Sequence, residues 1–182
     1  MRIQLETALG NCKFENLCTC NTKNSFEETN ESIFYLFDEE GGKSQSPSRI
    51  VNSGMDFQLI VHNENKKNIC FVKTDKCLIV EEKGLKKCDC LVFDDTQFYL
   101  VEIKTCKSGK RAERRREVIP QLSATIDLLI DNKIDLKGFK TTALICFKTT
   151  FPRIIQASQK SANAIFREKY DIGLAKGNEI FF

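Results

Sequence analysis

Residues 88–104 read CDCLVFDDTQFYLVEIK, two apolar runs on either side of a short polar turn. Such runs, bounded by turn-forming residues, read as a β-hairpin. An acid, Asp89, opens the first run, and Glu102-Ile103-Lys104 closes the second. Carboxylates set into otherwise apolar strands are costly unless a cation or a strong donor pairs them. A divalent metal is the simplest compensation.

Side chains on a strand alternate between faces. Asp89, Leu91 and Phe93 therefore share one face of the first strand, and Phe98, Leu100, Glu102 and Lys104 share one face of the second. With Asp94-Asp95-Thr96-Gln97 as the connection, Phe93 lies opposite Phe98, Leu91 opposite Leu100 and Asp89 opposite Glu102. Opposed residues have Cβ atoms roughly 4.5–5.5 Å apart. Two carboxylates at that range keep one proton unless a cation intervenes. The competing reading is a salt-bridged hairpin on the surface. A bare acid-x-Lys triplet is weak by itself: Glu64-Asn65-Lys66, Glu81-Glu82-Lys83, Asp131-Asn132-Lys133 and Asp135-Leu136-Lys137 also occur, all in polar or turn-like surroundings. Only Glu102-Ile103-Lys104 lies in a β-rich run with an acid in register on its neighbour.

Asp89, Glu102 and Lys104 give the chain a pattern that resembles the PD-(D/E)XK nuclease superfamily: an acid on one strand, acid-x-Lys on the next, then a helix. The resemblance covers roughly residues 70–150. The family's proline before the first acid is replaced by Cys88. Many members carry a Gln on the following helix, which Gln121 matches; Thr125 departs from the Gln-x-x-x-Tyr form of some exonuclease branches. The resemblance implies an α/β, restriction-endonuclease-like αβββαβ core with a central mixed sheet flanked by helices. It also implies a further acid from an N-terminal helix, for which Glu28 and Glu31 are candidates.

The length of 182 residues suits a single nuclease-like domain, with residues 1–50 as an N-terminal extension and helix and residues 51–182 as the core. No apolar run approaches the ~18 residues of a membrane span, and the opening MRIQLETALG lacks the apolar stretch of a signal peptide. Nine cysteines, an odd number without a secretion signal, point to reduced thiols and a cytoplasmic location. Cys12, Cys18 and Cys20 are close enough to suggest zinc, with the single histidine, His62, as a distant fourth ligand, but no C-x-x-C pair supports it. Cys88 and Cys90 read as small packed hydrophobes.

Residues 25–40, SFEETNESIFYLFDEE, read as a helix with Ser25 and Glu28 as a capping box and Ile33, Phe34 and Phe37 as its stripe. Strands are expected at Phe57–His62 and Ile69–Val80, the latter interrupted near Thr74-Asp75-Lys76. A helix is expected after Ser108-Gly109, strongest from Gln121 to Ile130, with Leu122, Ile126 and Leu129 on its core face. A strand over 140–149, a helix from Ala157 to about Tyr170 and a short strand over Glu179–Phe182 complete the order, which fits one mixed-sheet α/β domain.

Residues 107–117, KSGKRAERRRE, carry six basic and two acidic side chains, a balance of +4 against +3 for the whole chain. Arginine grips phosphate through two bonds, and a helix start adds to the attraction. Alone the segment reads as a solvated helix face; beside the acids it reads as a nucleic-acid contact through Lys107, Lys110, Arg111, Arg114 and Arg115. The expected activity is Mg²⁺-dependent phosphodiester hydrolysis, with Mn²⁺ as a substitute and DNA as the first substrate. Asp89, Glu102 and the Ile103 carbonyl would hold the metal, Lys104 would orient the attacking water, and Gln121 would hold that water or a phosphate oxygen. The family implies cleavage to a 5′-phosphate and a 3′-hydroxyl, and a setting in bacterial restriction or anti-phage defence. Target choice would come from a homodimer or a partner protein. The alternative is a catalytically inactive nuclease-fold module binding nucleic acid or a partner protein.

Overall fold

The computed structural model describes residues 1–10, 24–39, 46–79, 86–105, 108–148, 156–157 and 160–182. A short helix α1 (Arg2–Leu9) precedes seven strands: β1 (Phe26–Thr29), β2 (Ile33–Phe37), β3 (Arg49–Val51), β4 (Leu59–His62), β5 (Ile69–Lys73), β6 (Cys90–Phe93) and β7 (Gln97–Lys104). A 3-10 turn at Ser108–Lys110 leads into α2 (Arg111–Asp131). Then come β8 (Lys140–Phe147), β9 (Gln156–Ala157), α3 (Lys160–Tyr170), β10 (Gly173–Lys176) and β11 (Glu179–Phe181).

The strands form two sheets, a seven-stranded one in the order β1-β5-β6-β7-β8-β10-β9 and a four-stranded one in the order β11-β4-β2-β3. β5, β6 and β7 run antiparallel; β8 is parallel to β7 across the α2 crossover, and β10 is parallel to β8. The larger sheet is thus mixed. The three helices pack on one of its faces, where Leu5, Leu91, Leu100, Leu122, Ile126, Leu129 and Phe166 share a core. The smaller sheet covers the other face, with Phe34, Leu36, Leu59 and Val61 packed on Phe71, Val92, Val101 and Ile103. Layers on both faces bury every residue of β5 and β6, which is why these strands read as continuous apolar runs. No helix among the described residues is long and apolar enough to cross a membrane.

The hairpin has the expected register: Phe93 pairs with Phe98 and Leu91 with Leu100. Its turn is fixed by Asp94, whose Oδ1 accepts from the N–H groups of Thr96 (2.7 Å) and Gln97 (2.6 Å). Lys67 closes on its Oδ2 at 2.7 Å. Burial works to raise the Asp94 pKa, but Lys67 and these N–H groups outweigh it and hold the carboxyl below its usual range.

The helix expected over 25–40 is instead two strands, β1 in the larger sheet and β2 in the smaller. Ile33-Phe34-Tyr35-Leu36-Phe37 is a β-branched and aromatic run, suited to a pleated surface. Period two describes it better than a helical stripe: Phe34 and Leu36 point into the core and Ile33, Tyr35 and Phe37 point out. The presumed cap Ser25 is buried, with its Oγ 3.3 Å from Cys77 Sγ. The N–H of Glu31 bonds Thr29 Oγ1 at 3.2 Å, a local turn that breaks the segment. The helix expected from Ala157 begins at Lys160, after the short β9, and β10 follows it where no strand was expected.

This packing gives a direct test of the strand reading. Leu36 is fully buried and Ile33 is 47% exposed, whereas a helical stripe would make Ile33 a core residue. Leu36→Ala should cost about 2–5 kcal/mol in urea unfolding, and Ile33→Ala less than about 1 kcal/mol.

Candidate active site

The site stands where β6 begins and β7 ends. Asp89 immediately precedes β6, and its N–H donates to the Val101 carbonyl (3.1 Å), continuing the ladder that brings Asp89 beside Glu102. Neither side chain faces water: Asp89 is 4% exposed and Glu102 fully buried. A salt-bridged surface hairpin is therefore not what the chain forms here. The other acid-x-Lys triplets within the described residues are exposed at their charged positions; Glu81-Glu82-Lys83 lies outside those residues.

Asp89 is held from several directions. Its carbonyl accepts from the N–H groups of Thr74 (3.1 Å) and Asp75 (3.3 Å) and from Ser48 Oγ (3.1 Å). Its Oδ2 accepts from the Ile103 N–H at 2.5 Å. That bond turns the Ile103 peptide edge toward Asp89. In an extended strand the N–H and C=O of one residue point to the same edge, so the Ile103 carbonyl shares that direction. The Lys104 carbonyl points the other way and accepts from the Lys148 N–H at 3.0 Å.

Lys104 Nζ stands 2.6 Å from Glu102 Oε1, while Glu102 Oε2 has no hydrogen-bond partner among the described residues. Burial, working against the attraction of Lys104, pushes the Glu102 carboxyl up to about 8. Burial, then the Glu102 charge and that of Asp38, push Asp89 well above the usual carboxylate range.

Asp38 and Asp75 are the acids that the sequence reading missed. Asp38 follows β2 in the smaller sheet, is buried, and acts electrostatically on both Asp89 and Glu102. A buried Gln58 fixes its backbone, accepting its N–H (2.9 Å) and donating to its carbonyl (2.7 Å). Asp75 follows β5 and also bears on Glu102. For Asp38 the signal available was an acid directly after an apolar run, which the helical reading of 25–40 concealed. The acids expected from that helix sit elsewhere. Glu28 is on β1, paired with Arg2 at 2.6 Å, and Glu31 lies in the turn between β1 and β2.

Helix α2 supports the site from behind. Thr125 Oγ1 accepts the Cys88 N–H at 2.7 Å and donates to the Gln121 carbonyl at 3.0 Å. Gln121 Nε2 donates to the Lys87 carbonyl at 3.3 Å. The Gln121 amide nitrogen is thus engaged with the backbone leading to Asp89, a positioning contact. Of the basic segment, Lys107 lies outside the described residues, Lys110 precedes α2 exposed, and Arg111 is the first residue of α2. Arg114 pairs with Glu117 at 2.8 Å. Arg115 is half-buried, and its Nε lacks a hydrogen-bond partner among the described residues.

Among the described residues no three His, Cys, Asp or Glu side chains form a group that could hold a metal. The fit to Mg²⁺ rests on a smaller donor set: Asp89, the unmet Oε2 of Glu102 and the Ile103 carbonyl. Mg²⁺ characteristically keeps several waters beside one or two carboxylates. Cys12, Cys18 and Cys20 lie outside the described residues. His62 is engaged elsewhere, with Nε2 2.6 Å from Glu179 Oε1 and its ring stacked on Phe181. The described cysteines Cys70, Cys77, Cys88, Cys90 and Cys146 are free thiols and buried.

The raised Glu102 carboxyl has a consequence for stability. Between the ordinary carboxylate range and about pH 8 the folded chain holds a proton that the unfolded chain has released. Stability therefore falls as pH rises through that window and levels off above it. The Tm of metal-free protein should drop between about pH 5 and about pH 8 by the equivalent of a few kcal/mol. Glu102→Gln should flatten the slope, leaving the share due to Asp89. A wild-type Tm that rises across the window would contradict this electrostatic account of Glu102.

Comparison with protein-family models, with curated proteins and with solved structures returns no match to this chain.

Proposed function

We propose that the chain is a divalent-cation-dependent nuclease acting first on DNA, with Asp89, Glu102 and Lys104 at its centre. The observation that carries this reading is Glu102: a fully buried carboxyl group with one oxygen lacking a partner among the described residues, beside a second buried acid. Buried polar groups in folded proteins are almost always bonded, and exceptions call for a water, an ion, a ligand or a chemical role. Two supports are independent of it. The run β5-β6-β7-α2-β8 is three antiparallel strands, a helix and a strand parallel to the third, the order of the restriction-endonuclease-like core. Lys110, just before α2, and Arg111, Arg114 and Arg115 in its first turns would meet the phosphate backbone.

A bound Mg²⁺ or Mn²⁺ would supply charge neutralisation and a more acidic water. Asp89 and Glu102 would hold it with the Ile103 carbonyl. Lys104 stands against Glu102 Oε1; with a cation sharing the carboxylate, its ammonium would become available to orient water and to offset charge growing on the phosphate. Thr125 and Gln121 keep the backbone before Asp89 in place. A surface serving a second copy or a partner protein would supply target choice.

Purified protein should cut duplex DNA in Mg²⁺ and not in EDTA. Glu102→Gln and Lys104→Ala should fold, bind DNA and lose at least about a hundredfold in rate. Cleavage retained in Glu102→Gln sinks the assignment. Metal-independent binding without cleavage by wild type would favour the inactive nuclease-fold module. Arg114→Ala and Arg115→Ala should each lower the slope of log K against log salt by about 0.9 for every phosphate of duplex DNA that the replaced arginine neutralises; unchanged slopes would leave the start of α2 as a solvated face.

A further inference from the structure

Among the described residues, the buried side-chain polar atoms without a hydrogen-bond partner belong to just three residues: Glu102, Lys87 and Arg115. Glu102 is placed above. Lys87 lies two residues before Asp89 and is 5% exposed. Its ammonium carries three donors and no acceptor. Asp75 Oδ1 stands 3.3 Å away without completing a hydrogen bond. A buried ammonium in that condition is costly unless acceptors are brought to it.

The surroundings say where such acceptors would come from. Asp75, the neighbour of Lys87, donates its N–H to the Asp89 carbonyl and bears electrostatically on Glu102. Asp75 thus links Lys87 to the end of the larger sheet that carries Asp89 and Glu102. The Lys87 backbone is itself fixed by Gln121. The other lysine at that end, Lys104, is engaged with Glu102. An ammonium and a carboxyl oxygen that both lack a hydrogen-bond partner among the described residues, joined through Asp75, suit a ligand with both a cation and anionic oxygens. A phosphate associated with a divalent ion has that character, its oxygens taking ammonium donors while the ion takes carboxylate.

We infer that Lys87 is a phosphate-binding residue of this site, donating to a non-bridging oxygen of a phosphodiester whose neighbouring oxygen faces the cation at Asp89 and Glu102. The inference rests on the nuclease reading and adds to it a substrate contact outside the acid, acid and lysine set. Asp75 holds the ammonium in place between substrates. Lys87 takes no part in binding the metal.

Three measurements test this. Wild type, Lys87→Met, Lys87→Arg and Glu102→Gln are compared in cleavage of duplex DNA and in Mn²⁺ titration. Lys87→Met should raise KM about tenfold or more and lower the salt slope by about 0.9, with Mn²⁺ affinity unchanged; Lys87→Arg should recover most of the KM. A Lys87→Met protein that melts earlier but keeps the wild-type KM and salt slope, while Glu102→Gln is inactive, overturns the inference and spares the nuclease reading. Wild type that neither cuts DNA nor binds Mn²⁺ overturns the nuclease reading itself. The third measurement needs neither cleavage nor a folded Lys87→Met. Inorganic phosphate with Mg²⁺ is titrated into ¹⁵N-labelled wild type, and the Lys87 ammonium resonance, assigned through Lys87→Arg, is followed. A saturable shift supports the contact; a resonance that stays still at saturating phosphate overturns it.

Discussion

A carboxyl group sealed from water at the end of β7 sets the terms for this end of the molecule. Glu102 is a fully buried residue of β7, and burial alone would favour its neutral form. What surrounds it is a response to that cost. Lys104 closes on one oxygen, and Asp89 is locked to the Ile103 N–H so that its own charge is partly met. The termini of β2, β5, β6 and β7, drawn from both sheets, deliver Asp38, Asp75, Asp89 and Glu102 to one region. That convergence needs the smaller sheet: Ser48 and Gln58 tie its backbone to the acid-bearing segments.

Much of this region was legible because its signals are local. The alternation in CLVF and QFYLVEIK fixed the faces, and the register seen, Phe93 with Phe98 and Leu91 with Leu100, follows from loop length. Leu122, Ile126 and Leu129 were readable at helical spacing and are all fully buried. The N-terminal third was not legible. A five-residue aromatic and β-branched run is too short for period alone to separate helix from strand, and the capping-box pattern at Ser25 and Glu28 tipped the reading the wrong way. Tertiary pairing decides there: β2 lies between β3 and β4, and β1 adds to β5. The same misreading hid Asp38. Lys87 was invisible for another reason. Nothing in one sequence says that a lysine following a charged stretch will be enclosed.

Helix α2 joins two tasks in one rigid element. Its first turns carry the arginines, and its middle holds the peptide groups of residues 87 and 88 through Gln121 and Thr125. Its apolar side is pinned to the larger sheet by Val118 and Leu122. A force applied to its beginning, by an anionic polymer for example, is transmitted to the segment carrying Lys87 and Asp89 without any intervening loop. Pro120 removes one N–H from the ladder between the arginines and Gln121, and the helix nonetheless runs unbroken from Arg111 to Asp131.

The Asp94 turn lies at the opposite end of the hairpin from the acids, yet it governs them. Strand periodicity makes an error of one residue total: every side chain of the slipped strand changes face. The bonds from Asp94 to Thr96 and Gln97, clamped by Lys67, act as an indexing pin that fixes the phase of the whole ladder. Insertion or deletion of a single residue there would leave the strands apolar and well paired while turning Asp89 and Glu102 away from each other. The chemistry of the far end is thus inherited from the length of a loop that never touches it.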